Sequence, residues 1–272
     1  MESQVILITG ASSGLGKATA LTLTERGHRV SGGARRVGKM ESLVKSGVSI
    51  HFLDLTDEAS IEEFVAEVLK RESRIDVLIN NAGYGTYGSV EDISISEARE
   101  QFEVNLFGLA RLTQLVLPTM REQGSGTIIN LSSMGGKVYT PLGAWYHATK
   151  HALEGWSDCL RIEVAQFGID VVIIEPGAIE TEFEEVLINP LLERSKNGPY
   201  ETLAGKMVKA TRDTFSSGKA SKPSVIANVI VKAVESKKPN TRCVAGYLAK
   251  PTLVARALLP DRVFDWVIRT FM

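Results

Sequence analysis

Cysteine is scarce in this chain of 272 residues, which contains two, Cys159 and Cys243. They lie far apart and form neither a CxxC motif nor a histidine-rich spacing. Such a pattern supports neither a disulfide framework nor a zinc site. We therefore expect no bound metal, and we expect both thiols to be buried or incidental in a reducing compartment.

The chain also lacks an excess of positive or negative charge, and it lacks long apolar runs. The 31 Lys and Arg residues balance 32 Asp and Glu residues, so the basic patch that nucleic-acid binding needs is not evident. No apolar run approaches the roughly 18 residues of a membrane span. The start, MESQVILITG, has neither the basic nor the long apolar region of a signal peptide. We expect a cytoplasmic enzyme.

What the sequence does contain is an alternation of short apolar runs with helical segments. The apolar runs predict strands at 5–8, 28–34, 49–53, 76–79, 127–131 and 170–175. Helices are predicted at 17–25, around 61–69, at 94–120 with a Ser94–Glu97 capping box, and at 144–167. This alternation predicts an α/β fold with a doubly wound parallel sheet, in one domain over residues 1–272.

Two segments interrupt that alternation. Residues 183–222 are polar and follow the sixth strand, beside the crevice where doubly wound sheets bind ligands, which predicts a substrate lid. A surface excursion without a role is the alternative. Residues 250–272 mix apolar and basic side chains, and Pro251 and Pro260 are expected to divide them into two short helices. We expect this C-terminal extension to pack on the pocket, the core or another subunit; membrane contact is the less favoured alternative.

The stretch from Ser132 to Lys150 carries the strongest candidates for catalysis. Tyr146 and Lys150 are four residues apart in a predicted helix, so their side chains share one face. A lysine ammonium beside a phenol lowers the tyrosine pKa from its usual ~10, which favours proton exchange near neutral pH. The Ser133 hydroxyl can donate to the same substrate oxygen. For an isolated YxxxK motif, an ordinary exposed helix pair is the simpler interpretation.

Glycines stand between the first strand and the first helix. Gly10, Gly14 and Gly16 form a GxxxGxG spacing, which lets the backbone turn tightly and approach a pyrophosphate at the helix N-terminus. A tight turn without a ligand is the alternative. Because the turn follows the first strand of the domain, we favour phosphate binding.

Taken together, the motifs resemble the short-chain dehydrogenase/reductase family. The resemblance covers about residues 5–181 and rests on Thr9-Gly10-Ala11-Ser12-Ser13-Gly14-Leu15-Gly16, Asn80-Asn81-Ala82-Gly83, Asn105, Ser133, Tyr146-xxx-Lys150 and Pro176-Gly177. It implies a Rossmann fold with seven strands, the seventh predicted at Thr241 to Ala245. The stretch LEGWSDCLRIEV and the C-terminal extension look like the retinol and hydroxysteroid dehydrogenase branch, which favours an apolar substrate.

The resemblance implies four catalytic residues. Tyr146 would be the general acid/base, and Ser133 rather than Ser132 would polarise the substrate oxygen, so these two would contact the substrate. Lys150 would lower the tyrosine pKa and hold the nicotinamide ribose. Asn105 would lie at a kink in the long helix and position a water of the proton relay.

The same resemblance implies the cofactor-binding residues. The glycine-rich turn would hold the phosphates, and residues after the third, fourth and sixth strands would contact the adenosine and the nicotinamide; Tyr146 and Lys150 would also contact the cofactor. Besides these two, the expected contacts are Gly10, Ser12, Ser13, Gly14, Leu15, Gly16, Arg35, Asp54, Leu55, Asn81, Ala82, Gly83, Pro176, Gly177, Ile179 and Thr181.

The end of the second strand predicts which dinucleotide binds. NAD enzymes of the family carry an acidic residue at the place of Ala34, and here Arg35 and Arg36 follow. A missing carboxylate and a guanidinium suited to phosphate favour NADP. Two solvated surface arginines are the alternative.

The leading hypothesis is an NADP(H)-dependent oxidoreductase that moves a hydride between nicotinamide and a secondary alcohol or ketone. A reductase of acyl-carrier-protein ketones and a non-catalytic NADPH sensor are the alternatives. A homodimer or homotetramer is expected through the two long helices, with apolar residues of 109–116 and 153–164 as the contact surface. His147 and His151 are expected on the helix surface or at a subunit contact, outside the site.

Overall fold

The strands of the chain form one parallel sheet. The structure is a computed structural model that describes residues 3–270, apart from the side chains of residues 183–186. Within that range the strands are β1 (Val5–Thr9), β2 (Arg29–Ala34), β3 (Ser49–Phe52), β4 (Val77–Asn80), β5 (Gly126–Leu131), β6 (Ile169–Pro176) and β7 (Arg242–Ala245). Their order is β3-β2-β1-β4-β5-β6-β7, and each neighbouring pair is parallel. The predicted doubly wound sheet with seven strands is confirmed.

Helices follow the strands and cover the sheet. They are α1 (Gly14–Glu25), α2 (Glu41–Val44), α3 (Glu58–Glu72), α4 (Ile95–Phe102), α5 (Gly108–Gln123), α6 (Ala144–Val164), α7 (Phe183–Ser195), α8 (Glu201–Ser216), α9 (Pro223–Val234), α10 (Ala249–Leu258) and α11 (Asp261–Thr270). One core packs α1 and α9 against one face of the sheet. A second core packs α3, α5 and α6 against the other face. Because both faces are covered, the strands carry continuous apolar runs.

The long helix predicted from Ser94 to Met120 consists of three pieces. Ser94 and Glu97 form the expected capping box at the start of α4. A π-helical turn at Glu103–Phe107 then separates α4 from α5. A π turn displaces the helix by one residue, and such turns are frequent at functional sites. The kink expected at Asn105 is therefore present, since Asn105 lies in the middle of this turn.

The polar segment after β6 forms two helices and not an irregular loop. Helices α7 and α8 turn buried apolar side chains inward, among them Leu187, Leu191 and Met207, and these pack in one cluster with Tyr87 and Tyr146. The segment thus covers the sheet edge where Tyr146 lies. The polar residues of this segment lie on the outward faces of two amphipathic helices. Its apolar residues recur with the period of a helix, so they do not form the alternating pattern of a strand.

The C-terminal extension forms the two short helices that its sequence predicts, α10 and α11. The expected break at Pro251 is wrong: this proline lies in the first turn of α10, where a missing N–H costs no helical hydrogen bond. Pro260 separates the two helices. Phe271 and Met272 lie outside the described residues. None of the described helices is long and apolar enough to cross a membrane.

Phe264 attaches α11 to the loop that follows Ser133. Its side chain is 1% exposed, and its ring lies edge-on to Tyr139 at 5.4 Å between centroids. The Arg256 guanidinium lies over both rings, and the Tyr139 hydroxyl donates to Asp265 at 3.0 Å. The extension therefore packs on the protein's own substrate-side loop.

Phe264→Ala is expected to destabilise the fold, whereas Trp266→Ala is the matched control. Truncating a buried Phe typically costs about 3–5 kcal/mol through lost burial and a cavity. Trp266 lies on the same helix but is 65% exposed, so its truncation should leave stability nearly unchanged. Chemical denaturation of the two variants measures the difference. Equal stabilities would contradict the packing described for α11.

The apolar residues expected at a subunit contact are mostly in the protein's own core. Leu109, Leu112, Val116, Leu153 and Leu160 are all buried within the chain. That expectation is therefore wrong for these side chains, because both long helices turn this face to the sheet. Other apolar side chains at these helices are exposed, namely Phe107 at 54% and Ile162 at 75%.

Candidate active site

The glycine-rich turn between β1 and α1 has the backbone of a phosphate cradle. Gly10 and Gly14 have φ of +70° and +52°, which L side chains rarely adopt. A Cβ on Gly16 would lie 2.3 Å from the Gly10 carbonyl oxygen. The turn thus leaves no room for a side chain where the backbone must approach a ligand. Helix α1 begins at Gly14, so the positive end of its dipole faces the turn. These residues fit the pyrophosphate of a dinucleotide.

The segment after β4 is fastened to this turn. The Asn81 side-chain amide donates to the Thr9 carbonyl at 2.8 Å, and the Thr9 hydroxyl accepts from the backbone N–H groups of Asn81 and Ala82. A Cβ on Gly83 would lie 3.1 Å from Asn105 Oδ1 and 3.7 Å from Lys150 Nζ. Residues 81–83 therefore connect the glycine-rich turn with the predicted catalytic lysine.

Arg36, which the sequence pattern left out of the expected contacts, is the arginine that reaches the glycine-rich turn. Its Nη2 lies 3.2 Å from Ser13 Oγ and 3.5 Å from Ser12 Oγ. It also lies 3.6 Å from a carboxylate oxygen of Glu182, at the start of the lid. Both arginines are exposed, and Arg35 directly precedes Arg36 after the end of β2. The contact with the two serines depends on the folded chain, because it joins residues more than twenty positions apart.

Asp54 and Leu55 lie at the end of β3, on the side of the sheet where an adenosine is expected. The Asp54 carboxylate accepts from the backbone N–H and the hydroxyl of Thr56, and its backbone N–H donates to Ser60. Leu55 is buried, and a Cβ on Gly108 would lie 2.1 Å from its carbonyl oxygen. This loop is therefore held against the start of α5.

Ser133 and Tyr146, the two residues predicted to contact the substrate oxygen, are in hydrogen-bond contact with each other. Burial raises the pKa of Tyr146 above its ordinary value, and the hydrogen bond from the Ser133 side chain lowers it in part. Ser133 Oγ also accepts from the backbone N–H of Gly135 at 3.0 Å, which fixes the hydroxyl after β5. Ser132 is buried, and its hydroxyl makes no hydrogen bond to the described residues.

Burial opposes the expected lowering of the Tyr146 pKa by Lys150, and that lowering stays a prediction. Lys150 Nζ donates to the Leu131 carbonyl at 2.7 Å, and burial lowers the pKa of Lys150 to about 8, against an opposing effect of Glu154. The largest effect on Tyr146 is its own burial, which raises its pKa. Helical spacing places the two residues on one face, but it does not reveal how much water the fold removes from them.

Asn105 joins the π-helical turn to α6. Its side-chain amide donates to the Tyr84 carbonyl at 2.8 Å and to Thr149 Oγ1 at 3.1 Å, and its Oδ1 accepts from the Tyr84 N–H at 3.1 Å. Thr149 in turn donates to the Tyr146 carbonyl. Both amide hydrogens are therefore used to hold the turn beside the helix of Tyr146.

A cavity of about 290 Å³ brings the expected residues together. Ser133 and Tyr146 line one side, and Pro176, Gly177, Ile179 and Thr181 line another. The remaining wall is largely apolar and comes from the loop after β4, the loop after Ser133 and helices α7 and α8, with Tyr87, Val138, Leu187, Met207 and Phe215 among its residues. Helices α7 and α8 therefore form part of the pocket that Tyr146 lines.

His147 is a member of the pocket wall, and its expected place on the helix surface is wrong. It is buried, and the Gly135 carbonyl 3.0 Å from Nδ1 can only accept. The Thr140 N–H, 3.1 Å from Nε2, can only donate. The ring is therefore neutral with its proton on Nδ1, and burial lowers its pKa further. His151 is exposed, as expected.

The arrangement combines a dinucleotide cradle, a buried phenol with a serine partner, a buried lysine and an apolar pocket. Among the residues that the structure describes, no cluster of His, Cys, Asp or Glu is arranged to hold a metal ion. Both cysteines are free thiols. Such a site can give a proton to a carbonyl oxygen, or remove one from an alcohol, beside a bound nicotinamide.

These features define a short-chain dehydrogenase, and comparison with known proteins agrees. The family model for short chain dehydrogenase matches residues 4–190. The 3-ketodihydrosphingosine reductase of Bacteroides thetaiotaomicron is 35% identical over 100% of this chain and 98% of its own length. The chain belongs to the short-chain dehydrogenase/reductase family, whose members are oxidoreductases of CH–OH and C=O groups that use nicotinamide cofactors.

Solved structures show the same fold. A short-chain dehydrogenase from Streptomyces avermitilis has a TM-score of 0.81 at 36% identity, covering 98% of this chain and 96% of that one. An alcohol dehydrogenase from the archaeon Thermococcus sibiricus, in complex with 5-hydroxy-NADP, has a TM-score of 0.73 at 28% identity, covering 91% and 98%.

Proposed function

We propose that this chain is an NADP(H)-dependent oxidoreductase that interconverts an apolar secondary alcohol and its ketone. The observation that supports this most directly is the Ser133–Tyr146 hydrogen bond at the wall of the cavity that Pro176 to Thr181 also line. In this assignment the catalytic residues are Asn105, Ser133, Tyr146 and Lys150. A screen of purified protein for NADPH oxidation with long-chain ketones, steroids, quinones and acyl-thioester ketones tests the function.

The proton chemistry follows from the protein's own groups. In the direction of reduction, the Ser133 hydroxyl donates a hydrogen bond to the carbonyl oxygen and Tyr146 gives its proton to that oxygen. Burial raises the pKa of Tyr146, so the phenol keeps its proton at neutral pH until the carbonyl oxygen gains charge. Lys150, fixed by the Leu131 carbonyl, holds a positive charge near the forming phenolate.

The nicotinamide cofactor, when bound, supplies the hydride. The residues placed to hold it are the glycine-rich turn with Ser12 and Ser13, the loop at Asp54 and Leu55, residues 81–83, and the segment Pro176 to Thr181. Gly177 in this last segment is tied to β7 by its N–H, which donates to the Ala245 carbonyl at 2.8 Å. A Cβ on Gly177 would lie 2.1 Å from the Tyr247 carbonyl oxygen. The backbone can therefore pass this close to Tyr247 only with glycine at position 177.

An apolar substrate is supported by the pocket wall and by one relative. The lid helices contribute Leu187, Met207 and Phe215, and the sheet side contributes Val138 and Tyr87. The Bacteroides relative is named as a reductase of 3-ketodihydrosphingosine. A ketone of this type would bury its chain among these side chains and present its oxygen to Ser133 and Tyr146.

NADP is preferred over NAD in this proposal because basic groups border the glycine-rich turn. Arg35→Asp and Arg36→Asp should each raise the KM for NADPH by at least about tenfold, since a hydrogen bond to a charged group contributes ~1.5–3 kcal/mol. The KM for NADH should change little. Steady-state kinetics with both cofactors measures the preference.

Lys45→Asp is the control for the two arginine variants, because it makes the same charge change on an exposed residue of the same β2–β3 connection. It should leave both KM values as they are. An NADPH KM that is unchanged in both arginine variants would exclude the proposed NADP preference. A change in Arg36→Asp alone would assign the phosphate to the arginine that contacts the turn.

The remaining assignments concern organisation. We regard residues 1–272 as one Rossmann-type domain with a substrate lid at 183–222 and a helical extension at 250–272. We also propose a homodimer or homotetramer in the cytoplasm. Phe107 and Ile162, the exposed apolar residues at the two long helices, are the candidates for its contact surface.

A further inference from the structure

A cluster of charged side chains is buried beneath Lys150. Glu154 lies one turn after Lys150 on α6, and Glu175 lies at the end of β6 on the face that α6 covers; both are 2% exposed. Burying a carboxylate is costly unless it is paired or protonated. The proposed reaction does not use either group, so their burial needs a separate reason.

The two buried carboxylates are unequally paired with positive charge, because Glu154 has close contacts to two cations and Glu175 has one longer contact. Glu154 Oε2 accepts from Lys137 Nζ at 3.1 Å and from Arg242 at 3.2 Å. Arg242 is shared, because it also pairs with Asp158 at 2.5 Å, while Glu175 Oε1 lies 3.7 Å from its Nε. Glu154 Oε1 is buried with no hydrogen-bond donor among the described residues if Glu175 is ionised.

A proton on Glu175 resolves this arrangement. In the acid form its O–H can donate to Glu154, which gives the unpartnered Glu154 oxygen a donor and removes one negative charge from the cluster. Burial, together with the charge of Glu154, raises the pKa of Glu175 far above that of an ordinary carboxyl group. The other charged or titratable groups at this cluster, from the elements packed on it, are Lys137, Lys150, Asp158, Arg161, Arg242 and Cys243.

We infer that Glu154 and Glu175 are positioning residues that hold one proton between them and keep Lys150 charged. The inference deepens the proposed function, on which it rests. Glu154 supplies the negative charge one turn from Lys150, and Glu175 holds the Glu154 carboxylate in place by donating to it. The charge of Glu154 acts on Lys150 in the direction that retains its proton, against the effect of burial.

The first test is the pH profile of carbonyl reduction in Glu154→Gln. Removing the negative charge lowers the pKa of Lys150. The pH at which kcat falls on the alkaline side of its profile should therefore decrease by about one unit. At about pH 9 the variant should lose most of its activity relative to the unmodified protein, while at about pH 6.5 the loss should be small. Glu163→Gln is the control, because Glu163 is an exposed residue of the same helix. An unchanged alkaline limb in Glu154→Gln would overturn the inference.

The second test compares Glu175→Gln with Glu175→Leu. A glutamine amide still donates to Glu154, whereas leucine does not, so Gln should restore the pH profile that Leu shifts. Identical profiles for the two variants would contradict the role of Glu175. Infrared difference spectra at about pH 6 give a readout without substrate, because this pH lies below the pKa of Glu175, which is raised to about 7. The protonated carboxyl band of the unmodified protein should disappear in Glu175→Gln. It should weaken in Glu154→Gln, where the charge of Glu154 no longer favours the proton on Glu175.

These outcomes are separable from those of the proposed function. If the protein reduces no carbonyl compound with NADPH but the infrared band behaves as stated, the shared proton is present and the reaction has been assigned wrongly. If reduction proceeds and the band is the same in all variants, the reaction stands and the carboxyl pair does not hold a proton.

Discussion

Tyr146→Phe is expected to reduce turnover by about 10²–10⁴-fold, the usual contribution of a positioned general acid or base. The variant keeps the ring, which packs among Tyr87, Leu142 and the lid residues, and it loses only the hydroxyl that bonds to Ser133. Cofactor affinity and thermal stability should therefore stay close to those of the unmodified protein. Steady-state kinetics and a cofactor titration measure the two quantities separately.

Tyr139→Phe provides the matched control for that experiment. Tyr139 also loses a hydrogen-bonding hydroxyl, which donates to Asp265, but this hydroxyl belongs to the contact with α11. Its removal should leave kcat nearly unchanged. Turnover in Tyr146→Phe equal to that of Tyr139→Phe would show that Tyr146 is not the general acid, and the proposed mechanism would fail.

Gly16→Ala is expected to weaken cofactor binding and to destabilise the fold. The new Cβ would lie 2.3 Å from the Gly10 carbonyl oxygen and 2.5 Å from Asn81 Nδ2. Both neighbours belong to the cradle, and the Gly10 contact is backbone, so relief requires the turn to move. Overpacking of this kind costs about 1–3 kcal/mol. The KM for NADPH should rise by at least about tenfold, because each 1.4 kcal/mol of lost binding is a factor of ten.

Gly205→Ala separates this effect from the general effect of replacing a glycine. Gly205 is an exposed residue of α8, and a Cβ there would meet no atom within 4 Å. Its replacement should stabilise the protein by up to about 1 kcal/mol, since alanine favours the helix. Thermal unfolding with and without NADPH measures both variants. If the cofactor raises the melting temperature of Gly16→Ala as much as it does for the unmodified protein, the glycine-rich turn is not the phosphate site.

Helical and strand periods were sufficient to predict the sheet, since no strand end differs from its expected bound by more than one residue. The parallel direction of the strands follows from the alternation of strands and helices. A helix between two strands returns the chain to the edge of the sheet at which the previous strand began. The lid was harder to predict. Its two helices have polar outer faces, and the burial of Leu187 and Met207 depends on contacts with Tyr87, about a hundred residues away in the sequence.

The resemblance implied that Ser133 and Tyr146 would act on one substrate oxygen, and in the structure the two side chains form a hydrogen bond. It did not predict the buried state of His147, whose ring bonds to the Gly135 carbonyl and the Thr140 N–H. A residue next to Tyr146 on a helix points about a quarter turn away, and whether that direction leads to water depends on the loop that covers it. Here the loop after Ser133 covers it.

The sequence by itself determined the sheet, the glycine-rich turn and the identity of the groups that can exchange a proton, because these depend on local periodicity and on residue type. The tertiary structure decided the direction in which the pKa values of these groups shift. Burial raises the pKa of Tyr146 and lowers that of Lys150, which is the opposite of what an exposed pair four residues apart would show. It also brought Glu175 of β6 and Arg242 of β7 to Glu154 of α6. Such shifts depend on the removal of water and on charges distant in the chain, and both exist only once the helices have packed on the sheet.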